Sequence, residues 1–260
     1  MLKTRVTTAL VFVPLLLLAI WVGNIALIAA VAFLITMSVY EYCRMLAHKN
    51  YKTNTVFSIV IALFIGLLTG YAQFAYLPAV LLLSFVIIMF LHFRGKAYAL
   101  EGTMMNFAGT VYFALGFGSI LYLRFAHDTW VWLLLAFFIT WFTDIGAYAV
   151  GICIGKHKLA PEISPKKTVE GAIGGLLISI LSVLIFGSIV LNLQIWQLIV
   201  IGLGGSVFAQ VGDLLESMVK RWADVKDSGN ILPGHGGIWD RFDSILLTAP
   251  YLCIVLKLFL

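Results

Sequence analysis

Charge is scarce in this 260-residue chain. It has 12 acidic and 17 basic side chains, 11% of its residues, where an ordinary soluble domain carries about a quarter. With 62% hydrophobic residues and a mean hydropathy of +1.04, that shortage excludes a water-soluble globular domain. Cysteine is scarce too: Cys43, Cys153 and Cys253 are far apart, form no metal-ligand spacing and read as apolar packing residues. His48, His92, His127 and His157 fall at loop edges without a pattern. There is no internal repeat, no low-complexity tract and no loop long enough to house a separate soluble domain.

What the chain has in abundance is long apolar runs. A helix crosses the hydrocarbon with about 17 to 25 apolar residues, and roughly nine such spans are expected. They run approximately from Thr7 to Val22, Ile25 to Met45, Val56 to Ala72, Ala75 to Leu91, Met104 to Leu123, Trp130 to Val150, Val169 to Leu191, Ile195 to Met218 and Ile238 to Phe259. The expected fold is therefore an all-α polytopic membrane protein. It forms one integral domain, with N-terminal helices over 1–130 and the polar motifs over 131–260.

Basic residues orient such a chain, because short cytoplasmic loops retain Lys and Arg. With nine spans, all of the 17 basic residues except Arg124 and Lys257 fall on one face. This predicts an N-terminus inside and a C-terminus outside. The start, with Lys3 and Arg5 before an apolar run, resembles a signal peptide, and Ala30-Val31-Ala32 offers a small-residue cleavage pattern. The apolar region before that pattern is far too long for a signal peptide, so an uncleaved first helix is expected. The net charge of +5 is then mainly topological, with attraction to anionic headgroups secondary.

Against this background, residues 217–243 stand out. They gather Lys220, Arg221, Asp224, Lys226, Asp227, Asp240, Arg241 and Asp243 between two apolar stretches, and ionisable groups near a bilayer usually mark a site. Asp144, Asp213, Asp240 and Asp243 lie in spans or at their inner ends. Asp240 and Asp243 are three apart, which puts them on one face of a helix, and Asp213, Glu216 and Ser217 are spaced likewise. Converging carboxylates suggest a divalent cation, and oxygen-only ligands favour Mg²⁺ over zinc. The plainer reading pairs Asp240 or Asp243 with Arg241 or Lys220 as structural salt bridges; Asp213 and a second basic loop on the same face favour the metal.

That second loop is Ser164-Pro165-Lys166-Lys167-Thr168-Val169-Glu170-Gly171. Pro165 sets the entry and Thr168 is the expected N-cap of the next helix. Amides at a helix start beside two lysines suit a phosphate, although a lysine pair also serves as a membrane anchor. In the run Pro233-Gly234-His235-Gly236-Gly237, glycines permit close backbone approach, and His235 can donate to phosphate or act as an acid or base. Gly202-Leu203-Gly204-Gly205-Ser206 lacks a βαβ context for dinucleotide binding. The pairs Gly151/Gly155 and Gly171/Gly175 have the spacing of packed helices.

Taken together, Ser217-x-x-Lys220-Arg221, Lys226-Asp227 and Pro233-x-His235-Gly236-Gly237-x-x-Asp240-Arg241-x-Asp243 resemble the full signature of the phosphatidate cytidylyltransferases, the CDP-diacylglycerol synthases. Ser164 to Gly171 is similar to that family's second motif, and Leu2-Lys3-Thr4-Arg5-Val6 looks like bacterial members. The resemblance implies that phosphatidic acid attacks the α-phosphorus of CTP, giving CDP-diacylglycerol and pyrophosphate. It implies a homodimer in a bacterial plasma membrane, with the site at the cytoplasmic end of the C-terminal helices and no nucleic acid polymer as partner.

Carried over by position, the metal ligands expected are Asp213, Asp240 and Asp243, with Asp144 as a further candidate. The resemblance implies Mg²⁺ and a second cation, such as K⁺. Asp213, Asp240, Asp243 and Lys220 would carry the reaction. Lys166, Lys167, Ser217, Arg221, Lys226, Asp227, His235, Gly236 and Gly237 would bind substrate. Two other readings stay open at this stage: a CTP-dependent lipid kinase, and a proton- or metal-coupled transporter. An enzyme that consumes CDP-diacylglycerol would need an Asp-Gly-x-x-Ala-Arg core, which the chain lacks.

Overall fold

The structure is a computed structural model that describes residues 14–15, 17–93, 100–126, 129–231 and 236–260. Almost all of this is helix, as an apolar chain requires when no water can satisfy its backbone in the bilayer. Five helices among the described residues are long and apolar enough to cross a membrane: α1 (Asn24–His48), α4 (Leu100–Phe125), α5 (Val131–Ile154), α6 (Val169–Val190) and α7 (Ile195–Trp222). Shorter apolar helices are α2 (Thr55–Gly70), α3 (Leu77–Phe93) and, after the four-residue α8 (Trp239–Phe242), the C-terminal α9 (Ile245–Phe259). The chain is a multi-pass membrane protein.

Five of the nine expected spans thus have full spanning length, and half of Thr7 to Val22 lies outside the described residues. The run from Ile238 to Phe259 is not one helix. It is interrupted by a turn at Asp243-Ser244, so Asp240 and Asp243 do not share a helical face. The chain resolves into two compact units, Met1–Trp130 with Trp222–Phe242, and Val131–Arg221 with Asp243–Leu260.

In the first unit, small residues let α2 and α4 approach closely. A Cβ at Gly118 would lie 2.7 Å from the Gly66 carbonyl oxygen, and one at Gly70 would lie 2.6 Å from Leu121 Cβ. Asn54 caps α2, its side chain accepting from Phe57 N at 3.2 Å. Buried Ser58 and Asn106 satisfy each other, Oγ donating to Oδ1 at 3.1 Å and Nδ2 to Oγ at 3.0 Å. Trp239 of α8 is 1% exposed and meets Phe113 edge-on at 4.9 Å and Tyr42 at 5.9 Å. Lys49 pairs with Asp224, whose carboxyl is held below the usual range by that hydrogen bond.

In the second unit, α5 and α6 are joined not by a plain loop but by a short hairpin: β1 (Lys158–Ala160) and β2 (Ser164–Thr168), antiparallel, with Lys158 opposite Thr168. A Cβ at Gly146 would come 2.9 Å from the Gly174 oxygen, and one at Gly175 would come 2.7 Å from the Thr143 oxygen. Thr143 Oγ1 donates to Ser206 Oγ at 3.0 Å, and Gln210 Nε2 donates to the Ala172 carbonyl at 3.2 Å. The opposite side of α6 exposes Ile173, Leu177, Leu181, Ile185 and Ile189, one every fourth residue and each more than half exposed. Such a stripe suits hydrocarbon rather than water.

Candidate active site

The last three turns of α7 line up polar side chains at helical spacing. Asp213, Glu216, Ser217, Lys220 and Arg221 follow at offsets of 3, 4, 7 and 8, which one helix face can carry. Glu216 is 1% exposed, and its Oε2 receives Lys220 Nζ at 2.6 Å. Asp213 Oδ2 receives Lys167 Nζ at 2.5 Å. Asp243 approaches the same helix from its turn, because Gly212 has no side chain to exclude the Asp243 carbonyl oxygen. Ser244 N donates to Asp243 Oδ1 at 2.6 Å.

The result is a carboxylate cluster. One ligand oxygen each from Asp213, Glu216 and Asp243 lies within 4.8 Å of the others, close enough to hold one metal ion. All three donors are anionic oxygens, the set suited to a hard divalent cation. Glu216 was absent from the expected ligands, although its offset from Asp213 is legible in the sequence.

The hairpin brings in positive charge. Thr168 caps α6 as expected, its hydroxyl oxygen accepting from Gly171 N at 3.1 Å. Glu170 ties the hairpin's start to that cap. It accepts from Lys156 N at 3.0 Å and His157 N at 3.2 Å, and pairs with His157 Nδ1 at 2.6 Å. Arg221 Nε donates to the Ile163 carbonyl at 3.3 Å, tying α7 to the hairpin. A cavity of about 720 Å³ opens here, lined among others by Asp144, Lys158, Lys166, Lys167, Gln210 and Asp213. Lys158 joins the two anticipated lysines because it sits on the paired strand.

The structure therefore gathers Asp144, Asp213, Lys166 and Lys167 around one cavity, and Asp213 with Asp243 in one carboxylate cluster. Lys226, Asp227, Gly236, Gly237 and Asp240 belong to the first unit. There Lys226 and Asp227 are exposed and Gly237 is buried. Asp240 Oδ2 accepts from Ser228 N and Oγ, both at 2.9 Å, and from Gly237 N at 2.7 Å. Pro233, Gly234 and His235 lie outside the described residues.

The model of the cytidylyltransferase family matches residues 3–259. The chain belongs to this family. It is 35% identical over 257 residues to a phosphatidate cytidylyltransferase of Staphylococcus haemolyticus, covering 97% of this chain and 96% of the relative. The Staphylococcus aureus (strain COL) protein of the same name is 36% identical over 260 residues, with the same coverage. That of Staphylococcus saprophyticus is 40% identical over 181 residues, 69% of each chain. The match takes in the helices before residue 130 as well as the lysine and aspartate motifs, so this cytidylyltransferase resembles its family over residues 3–259.

Proposed function

We propose that this cytidylyltransferase condenses CTP with phosphatidic acid. A phosphate oxygen of the lipid attacks the α-phosphorus of CTP, the bond to the bridging oxygen of the β-phosphate breaks, and pyrophosphate leaves, giving CDP-diacylglycerol. The observation that carries this reading is the meeting of opposite charges in the second unit. Asp213, Glu216 and Asp243 converge, Lys167 and Lys220 sit on two of them, and the lysine-lined cavity opens beside them.

Two polyanions must be brought together, so the protein's task is charge neutralisation and in-line positioning rather than covalent chemistry. Lys166, Lys167 and Lys158 bind phosphates of the substrates. Lys220 and Arg221 extend that positive strip along α7, with Ser217 as a hydroxyl partner. Asp213, Glu216 and Asp243 would hold Mg²⁺; a second cation such as K⁺, and Asp144 as a further ligand, rest on the family resemblance. A divalent cation held by these carboxylates would supply positive charge to offset that of the pyrophosphate leaving group. Substrate binding by Lys226, Asp227, His235, Gly236 and Gly237, and metal binding by Asp240, rest on the motif resemblance.

The one-sided distribution of basic residues supports a cytoplasmic N-terminus and a site on the cytoplasmic face of a bacterial plasma membrane. We propose a homodimer on the family resemblance alone. Incubation of purified protein with CTP, phosphatidic acid and Mg²⁺ tests the reaction. CDP-diacylglycerol and pyrophosphate are expected, and CDP in solution would identify a lipid kinase instead. Neither the kinase nor the transporter reading finds support in the family or its relatives.

A further inference from the structure

Within the first unit, the single carboxylate of α1 has been given no role by the reaction. Glu41 is 1% exposed in a helix otherwise suited to a bilayer, a setting in which an ionised group is costly unless strongly hydrogen-bonded. Its partners lie almost two hundred residues away. Ile238 N donates to Oε1 at 2.9 Å, Trp239 N to Oε2 at 3.1 Å and Ser228 Oγ to Oε2 at 3.2 Å. Ser228 is shared, since its amide and hydroxyl also reach Asp240 Oδ2. One hydroxyl proton serves one carboxylate at a time, so Ser228 links Glu41 and Asp240 rather than satisfying both.

The glycines of this region fit around that linkage. A Cβ at Gly229 would lie 2.8 Å from Glu41 Cδ, and one at Gly237 would lie 2.6 Å from it. Gly236 has φ +87°, and a Cβ there would lie 2.6 Å from Asp240 Oδ2. A side chain at any of these positions would crowd the carboxylates, and Gly236 also has a left-handed backbone that favours glycine.

We propose that Glu41 is a positioning residue for cytidylyl transfer. By joining Ser228 to Ile238 and Trp239, it fixes the backbone of Gly236 and Gly237 for the triphosphate of CTP. The proposal rests on the CTP-dependent reading above and adds that the N-terminal helices hold part of the nucleotide-binding motif in shape.

Glu41→Gln keeps the side chain's size but turns one acceptor into a donor facing a donor. Wild type, E41Q and S228A in lipid nanodiscs are compared by amide hydrogen exchange at 237–239 and by steady-state kinetics in each substrate. In E41Q, exchange protection at Ile238 and Trp239 is lost. Its kcat/KM for CTP falls roughly ten- to hundredfold, the size that one or two hydrogen bonds to a charged group represent, while KM for phosphatidic acid is unchanged. S228A shows the same pattern more weakly, and decides the matter if E41Q does not insert. Retained protection, or lost protection with unchanged CTP kinetics, overturns the proposal. A wild-type protein that makes no CDP-diacylglycerol instead overturns the reading on which it rests, and the two failures are distinct.

Discussion

Lys167, from the hairpin, and Asp213, from the C-terminal half of α7, form an ion pair at 2.5 Å on the wall of the lysine-lined cavity. Neither is buried, with side-chain exposures of 26% and 30%, so the pair is worth little as a stabilising contact. Its significance is positional: it places a positive charge beside a carboxylate cluster. Lys167→Ala is expected to leave membrane insertion and thermal stability near wild type while lowering kcat/KM by about a hundredfold, the usual scale for losing one transition-state donor. An unchanged specificity constant for both substrates would remove its phosphate role.

Asp243→Asn keeps the turn's shape and removes one anionic ligand. The expected outcome is loss of cation-dependent turnover with normal insertion, and any residual activity should need far more Mg²⁺ for half-saturation. Turnover titrated against Mg²⁺ checks this. Wild-type activity at the wild-type Mg²⁺ requirement would take Asp243 out of the metal site.

Glu216→Gln separates the cluster's charge from its packing. Because Glu216 is buried and paired with Lys220 at 2.6 Å, neutralising it breaks an ion pair whose acidic partner is out of solvent. A stability loss of about 3 kcal/mol is expected, the scale for breaking one partner of a buried pair. E216Q combined with K220M should recover stability but not activity. A double variant with wild-type turnover would make the pair purely structural.

Much of this could be read from the sequence, and the exceptions have physical causes. The long helices were legible because a bilayer demands apolar runs of fixed length, and Thr168 was legible as a cap because its hydroxyl is followed at once by an apolar run. The hairpin was not: Ser164-Pro165-Lys166-Lys167-Thr168 has no alternating apolar pattern, and its pairing depends on Lys158 lying opposite Thr168. The break before α9 was hidden because neither Gly nor Pro marks Asp243-Ser244, whereas Pro250 lies inside the helix that follows. Glu41 stood outside every motif, and its partners are too distant in sequence for spacing to find.

Thr168→Ala tests the cap. Losing the acceptor for Gly171 N should cost about 1 kcal/mol, with Thr168→Ser close to wild type. Thermal unfolding in detergent measures the difference. Equal stability of the alanine and serine variants would mean that the hairpin alone sets the start of α6.

Gly171 and Gly151 both line the cavity, and a Cβ at Gly171 would come 2.7 Å from the Ala147 carbonyl oxygen of α5. The spacing between the two walls is thus set by atoms that are absent. A methyl group added at Gly171 would act as a wedge between them, shifting Asp144 on one helix relative to the lysines of the hairpin that leads into the other. The dimensions of the polar chamber are in this sense inherited from helix packing, and could be altered without touching any charged group.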